Sequence, residues 1–338
     1  MPHAAIFLYD GCYASSACGF ADLLQVANAH LRRQGHAATD LYEWDFVSFA
    51  ATPTTASNGL LLQPCQPQAM RERYDLVFVP GFHYSGQSLL DEMLQRLSSA
   101  LAWLTAQWQA GAWIAANCTG TFILAQTGLL DGKVATTSWW LERQFRSRFP
   151  QVDLQLHPVL TEADGLLCAG ASASYLLQTI RVIERFSGAA IASQCARTTL
   201  IDVSQNSQIP YLPLLAERPH SDPLVQRAQD WLQAHIASEL RISDLADTLA
   251  ISERTLIRRF QNVHRLAPLA YLQDLRLEAA RALLESSALT VEQIASQVGY
   301  ANASSFSRLF RQRIGMTPGV YRARFQSSVP SRGRAVSE

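Results

Sequence analysis

The first part of the chain alternates between two kinds of hydrophobic pattern. Residues 4–9, 45–49, 76–80, 113–117 and 134–137 are short apolar runs, each ending in a turn-forming or small polar residue. Runs of that length, apolar at almost every position, predict strands buried on both faces. Between most of them, as over 20–33 and 89–110, apolar residues return every three or four positions and predict amphipathic helices. Residues 58–62 are the exception and read as a return strand. Strands alternating with helices imply an α/β unit with a parallel sheet covered on both faces, and sites in such sheets gather where strands end. Two further helical patterns, 171–187 and 189–199, precede a polar, proline-punctuated connector.

Beyond the connector the period is helical throughout. Ile294, Ala295 and Val298 keep helical spacing, Gly299 stops that helix, and a second amphipathic segment carries Phe306 and Phe310 four apart. Thr290 with Gln293 forms a capping box, and Asn302 stands where the second helix needs its N-cap. The same pattern occurs earlier: Leu245, Ala246 and Leu249 precede their counterparts by 49 positions, as from Leu245 to Ile294. Leu256 and Phe260 precede Phe306 and Phe310 by 50, so one residue has been gained at the turn. The repeat predicts two helix-turn-helix units. With Leu256 and Phe260 inward, Arg254 and Arg258 face out; with Phe306 and Phe310 inward, Ser304, Arg308 and Arg311 face out. Arginine suits both bidentate contact with guanine and neutralisation of phosphate. The helix over 268–287 joins the two units, and at 1.5 Å per residue it spans roughly 30 Å, close to one turn of DNA. Arg276 and Arg281 on it are expected either on phosphate or paired with Glu278 or Glu285.

Charge supports that division. The net charge is zero, but residues 1–218 hold 13 Lys+Arg against 17 Asp+Glu, while residues 219–338 hold 15 against 11. Positive charge is concentrated where nucleic acid would bind. The N-terminal residues carry no charged leader, no apolar stretch reaches bilayer length, and six cysteines without metal-ligand spacing fit reduced thiols. A cytoplasmic protein with no membrane partner, no metal and no cofactor is the expectation.

The strand end with the most chemistry is Ala115-Ala116-Asn117-Cys118-Thr119-Gly120, where a strand turns sharply into a helix over 121–127. A cysteine there is held out at the sheet edge, and a helix N-terminus would lower its pKa. Two readings stand: a reactive thiol, or a small buried residue at a tight turn. Catalysis would require a base close to the sulfur and a group to orient that base.

The span from about 222 to 325 resembles the AraC-type DNA-binding domain, whose closing signature reads here Gly299, Tyr300, Ser304, Phe306, Ser307, Arg308, Phe310, Arg311, Gly315, Thr317, Pro318, Tyr321 and Arg322. The resemblance implies base reading by Arg254 and Arg258 in the first unit and by Ser304 and Arg308 in the second. Residues 4–200 resemble the PfpI group of the class I glutamine amidotransferase-like superfamily, through Val79-Pro80-Gly81-Phe82, the cysteine elbow, and Thr127 to Gly132 ahead of Ala135-Thr136-Thr137. That likeness implies a flavodoxin-like doubly wound parallel sheet followed by an all-α domain with two helix-turn-helix units. The combination is the layout of GlxA-type transcriptional regulators. It implies a sensing and dimerisation domain over 1–200, a linker over 201–221, a DNA-binding domain over 222–325 and a disordered tail over 326–338.

Two departures bear on chemistry. Where relatives carry histidine before tryptophan, this chain has Ser138-Trp139, and where many carry an acid ahead of the first helix it has Ser16. No catalytic residue is therefore assigned; the alternative is a hydratase or hydrolase using Cys118 and Thr119 with Asp10 or Asp22, or with His83 as base. Asp22 is expected to face solvent at a helix start. The expected ligand wall is Ser16, Gly81, Phe82, His83, Cys118, Thr119, Ser138 and Trp139, suited to an amino-acid-like or quaternary-ammonium effector. For Trp139 and Trp140, core packing and ligand contact weigh equally. The expected partners are double-stranded DNA, a small-molecule effector, a second copy bound through the N-terminal domain, and RNA polymerase, with activation the expected sign of regulation.

Overall fold

The computed structural model describes residues 2–50, 53–65, 70–204, 206–214, 220–238 and 240–326. Two compact units divide the chain, Met1–Gln208 and Ile209–Glu338. The tail expected to be disordered lies, but for Gln326, outside the described residues.

In the first unit the strands are β1 (His3–Phe7), β2 (Glu43–Val47), β3 (Thr54–Thr55), β4 (Leu61–Leu62), β5 (Leu76–Val79), β6 (Trp113–Asn117), β7 (Val134–Ala135), β8 (Asp153–Leu154), β9 (Leu160–Ala163) and β10 (Leu166–Ala169). Its helices are α1 (Ala14–Arg33), α2 (Gln87–Arg96), α3 (Ser98–Gln109), α4 (Gly120–Gln126), α5 (Glu142–Arg148) and α6 (Tyr175–Thr198). Six strands make the main sheet in the order β2-β1-β5-β6-β10-β9, all parallel except the β9 edge. Ala4 to Phe7 and Leu76 to Val79 are wholly buried, which is why these runs are apolar at every position. On one face α1 packs beside α6, with the Phe20 ring stacked 4.2 Å from Phe78. On another part of the core Phe122 of α4 meets Phe145 edge to face at 4.9 Å. Each such ring contributes about 1.5–3 kcal/mol of burial.

Several expectations are corrected. The run at 134–137 is not a strand of the main sheet; Val134–Ala135 pairs with β8 in a separate ribbon. The position beside β6 belongs to β10, which forms with β9 an antiparallel hairpin that the apolar pattern did not suggest. The single helix expected at 89–110 is two, α2 and α3, parted at Leu97. The first helix begins at Ala14 rather than at 20, so Ser16 lies in its first turn and Asp22 two turns in. The return strand at 58–62 reduces to Leu61–Leu62 against Thr54–Thr55. The two helices expected at 171–187 and 189–199 are found as the two segments of α6, divided where Gly188 leaves helical geometry at φ +83°.

The second unit is helical: α7 (Pro223–Ala234), α8 (Ile242–Thr248), α9 (Glu253–His264), α10 (Pro268–Ser286), α11 (Val291–Gln297), α12 (Ala303–Ile314) and α13 (Pro318–Phe325). Its caps are the ones the sequence advertises. Thr290 and Gln293 close a reciprocal capping box, and Asn302 accepts from the amides of Ser304 and Ser305 at 2.7 and 3.1 Å. The extra residue of the second repeat sits at its turn, five residues between α11 and α12 against four between α8 and α9. The αL position that Gly299 fills at φ +88° is held in the first repeat by Ala250 at φ +54°. Two separate cores result, one around Leu256, Phe260 and Leu272, the other around Leu277, Phe306 and Phe310.

Candidate functional site

The elbow forms at the end of β6. Cys118 takes φ +55°, a left-handed conformation that a side chain adopts only under constraint. The constraint comes from three segments. The Cys118 amide donates to Ala169 O at 2.8 Å, the hydroxyl of Thr137 donates to Cys118 O at 2.8 Å, and Ser138 Oγ lies 2.8 Å from Cys118 Sγ. Thr119 Oγ1 donates to Phe82 O at 2.8 Å and accepts from Phe82 N at 2.6 Å, which ties the elbow to the loop after β5. Glycine is required in that loop and at the helix start. A Cβ on Gly81 would lie 3.1–3.2 Å from Tyr13, Cys118 and Thr119, and one on Gly120 would lie 2.6 Å from Pro80 O.

Most of the expected wall converges, and part does not. Gly81, Phe82, Cys118, Thr119 and Ser138 form one buried, hydrogen-bonded cluster. Ser16 is fully buried and bonds Tyr13 O at 3.2 Å rather than the sulfur. His83 is exposed, Trp139 is half-buried beside Ser138, and Trp140 is 48 % exposed with its ring edge-on to Trp139. The sequence reading missed Tyr9 and Tyr13. The Tyr9 hydroxyl donates to Pro80 O, the Tyr13 amide donates to Gly81 O at 2.7 Å, and Cys12 bridges to Phe82. Their position just past β1 was the available signal, because it is another strand end.

The lowered thiol pKa expected at a helix start is corrected. Burial pushes the Cys118 thiol above its ordinary value, and the hydrogen bonds from Ser138 and Thr119 pull it back without offsetting the desolvation. The thiol's partner Ser138 is a neutral hydroxyl and cannot take a proton as a base. Among the described residues no hydrogen bond or ion pair joins Cys118 to Asp10, Asp22 or His83. Asp10 is exposed and accepts from the Thr55 amide at 2.8 Å, and Asp22 is exposed on α1.

In the second unit, α9 and α12 each bury two apolar residues and leave arginines out. Leu256, Phe260, Phe306 and Phe310 are wholly buried, while Arg254, Arg258, Ser304, Arg308 and Arg311 are exposed. Among the described residues none of these four arginines enters an ion pair, whereas their neighbours do. Arg259 pairs with Asp222 at 2.9 Å and Arg313 with Asp274 at 3.6 Å. Unpaired guanidinium groups on the outer face of a second helix are free to meet an anionic groove. Of the alternatives for the two arginines on α10, the pairing of Arg281 with Glu278 forms, whereas Arg276 meets backbone carbonyls instead of a carboxylate. Arg276 donates to Ile236 O and Ser238 O at 2.8 and 2.6 Å, and Arg281 is 12 % exposed, paired with Glu278 and bonded to Pro210 O and Leu212 O. Arg281 also donates to the Tyr321 hydroxyl at 2.9 Å, not to Glu285.

Comparison with known proteins follows the same division. The helix-turn-helix domain family matches residues 245–324 and the DJ-1/PfpI family residues 26–164. The HTH-type transcriptional regulator CdhR of Pseudomonas aeruginosa is 30 % identical over 298 residues, covering 86 % of this chain and 85 % of that protein. This chain belongs to the AraC-type transcriptional regulators that carry a DJ-1/PfpI domain. The regulator GbdR of the same organism is 25 % identical over 280 residues, 82 % of this chain and 74 % of that protein. GlxA of Rhizobium meliloti is 26 % identical over 207 residues, 61 % of this chain and 64 % of that protein. As a DNA-binding transcriptional regulator, the protein carries its helix-turn-helix match on the unit whose α9 and α12 turn exposed arginines outward.

Proposed function

We propose that the DJ-1/PfpI unit of this regulator is a sensor rather than an enzyme, that a small metabolite bound beside Cys118 and Ser138 governs how α9 and α12 engage DNA, and that the outcome is activation. A buried thiol whose side-chain hydrogen-bond partner is a serine supports a site that has kept its shape and lost its base. Ser138 carries a hydroxyl at the sulfur and is followed in sequence by the indole of Trp139, residue types that suit an amino-acid-like or quaternary-ammonium group. Arg254, Arg258, Ser304 and Arg308 are the proposed base readers, with Arg311 on phosphate. A cytoplasmic dimer joined through the first unit, working with RNA polymerase, completes the reading.

The observation that carries the control half is how the first unit holds the end of its own chain. Gln208 is buried; its Nε2 donates to Thr136 Oγ1 and Leu156 O, each at 3.1 Å, and its amide donates to His157 O at 2.7 Å. Gly170 makes the slot, since a Cβ there would stand 2.3 Å from the Gln208 amide group. Thr136 lies two residues before Ser138, so a ligand that shifts Ser138 acts on the segment just past β7 that holds Gln208. From the next residue on, the chain is held by the second unit: Arg281 bonds Pro210 O and Leu212 O, and the Leu214 amide meets Glu278. A ligand can use this route only if it binds one arrangement more tightly than another.

Thermal denaturation of the full chain against free amino acids and trimethylammonium compounds tests the reading. A compound at 100 times its Kd stabilises by about 2.7 kcal/mol. The proposal expects that compound to change DNA affinity in wild-type protein and to lose its effect in Ser138→Leu. Turnover of small amides, isonitriles or 2-oxoaldehydes that vanishes in Cys118→Ala would replace the sensor with an enzyme.

A further inference from the structure

The two helix-turn-helix modules have separate hydrophobic cores. On α10 the fully buried part of the first ends at Leu272, with Leu275 packed against it, the second begins at Leu277, and Gln273, Asp274 and Arg276 are the polar residues between. What crosses the gap there is largely polar. Arg276 donates from Nε to Ile236 O at 2.8 Å and from a terminal nitrogen to Ser238 O at 2.6 Å, both in the stretch between α7 and α8 of the first module. The other side of its guanidinium lies over the Tyr300 ring, 5.4 Å from the centroid, in the turn between α11 and α12 of the second. The adjoining residue, Gly299, allows the approach. Its φ is +88°, and a Cβ there would stand 2.7 Å from Ile236 O and 2.8 Å from the Arg276 guanidinium. The loop that leads into the first module, the guanidinium and the turn of the second module are thus stacked in direct contact. Carbonyls just past the end of α7 favour a cation, and the flat, always-charged guanidinium fork suits bonding two carbonyls while stacking on a ring.

We infer that Arg276 is a positioning residue for DNA reading: it contacts no DNA, but it fixes the angle between the two modules and thereby the separation of the two half-sites that α9 and α12 read. The helix α10 sets the distance; the Arg276 bridge sets the bend and rotation about it. Without the bridge each module keeps its own core and its own reading surface, and only their registration is lost. Two linked reading heads bind tightly only when both reach their half-sites together, so loss of registration lowers affinity for the paired site and spares the single one.

The inference rests on α9 and α12 being the reading helices, and the test separates the two ideas. Full-length wild type, Arg276→Lys, Arg276→Ala, Tyr300→Leu and Tyr300→Phe are each used to select duplexes from a random-sequence library, and affinities are then measured on the paired and single half-sites. Wild type is expected to select two half-sites at one separation. Arg276→Lys and Tyr300→Leu are expected to select the same half-sites over a spread of separations, with paired-site affinity down about tenfold and single-site affinity within about twofold. Tyr300→Phe should match wild type, because its hydroxyl has no hydrogen-bond partner among the described residues and the ring is kept. If Arg276→Ala does not fold, the lysine and leucine variants carry the test. An unchanged separation, or an equal loss on paired and single sites, would overturn the inference. Failure of wild type to enrich any sequence would instead remove the reading of α9 and α12.

Discussion

Three arginines on α12 allow the proposed reading face to be tested against its own helix. Arg308 lies two residues from Phe306 and two from Phe310, about 200° around the helix from each, so it points away from the core that both rings fill. Its side chain is exposed and has no ion-pair partner among the described residues. Replacing it with alanine should therefore leave the melting curve within about 0.5 kcal/mol of wild type. On DNA the loss should be specific. A bidentate contact is worth about 1–3 kcal/mol of discrimination, so preference at one base pair should fall by about five- to 150-fold, with other positions unaffected. Fluorescence anisotropy at fixed salt, on a selected duplex and its single-base variants, measures this directly. Arg313 provides the contrast: it faces Asp274, which is 2 % exposed, and its removal should leave a buried carboxylate uncompensated at a cost of about 1–3 kcal/mol in stability. If Arg308→Ala weakened every duplex equally and reduced the salt slope by about one, the residue would be a phosphate contact and the assignment wrong. If it lowered the melting temperature as Arg313→Ala does, the outward face itself would be misplaced.

Three further outcomes follow from the geometry. Gly120→Ala should destabilise the first unit by about 1–3 kcal/mol, because its Cβ would press on the backbone oxygens of Pro80 and Val79, which cannot swing aside; an unchanged chemical-denaturation midpoint would show that the loop is looser than described. Ala250→Gly should stabilise the second unit by up to about 1 kcal/mol, since Ala250 holds a left-handed φ of +54° that glycine adopts freely, and a loss in the same melt would count against that conformation. Burial raises the Asp274 carboxyl above its ordinary 3.8, with Glu278 adding to the rise and Arg313 opposing it. The folded state thus holds this proton more tightly than the unfolded state does, so the contribution is favourable below the ordinary value and is lost as pH rises through the raised one. Asp274→Asn should gain stability relative to wild type at pH 7, with the gain shrinking toward pH 3.8, and a pH-independent difference would contradict it.

What the sequence revealed and what it concealed divide by the range of the interactions involved. Caps and turns are local, so Thr290, Asn302 and the extra residue before α12 were legible from spacing alone. The strands β1, β5 and β6 were legible because burial on both faces leaves no polar position. The β9–β10 hairpin was missed although its turn, Asp164-Gly165, carries the signature of a two-residue loop with both φ positive, +50° and +76°. Its strands have four residues each, too few for the apolar pattern to register. The break at Leu97 left no trace because apolar residues keep helical spacing across it, at Leu94, Leu97 and Leu101. At the elbow, the strand-turn-helix geometry was visible but the state of the thiol was not. A helix terminus argues for a lowered pKa, and the burial that wins comes from the loop around Gly81 and from Thr137-Ser138, distant in sequence. The backbone partners of Arg276 and Arg281 were hidden for the same reason, since those carbonyls lie 40 and 71 residues away at Ile236 and Pro210, while the local pair Arg281–Glu278 was legible.

The central claim is that α9 and α12 read a defined sequence together. Its most direct measurement is competition between promoter fragments and bulk genomic DNA for the purified full chain at physiological salt, with and without candidate metabolites. A sequence-reading regulator should hold at least one fragment about 10³-fold or more tightly than bulk DNA. Equal affinity for all fragments under every condition would contradict the account.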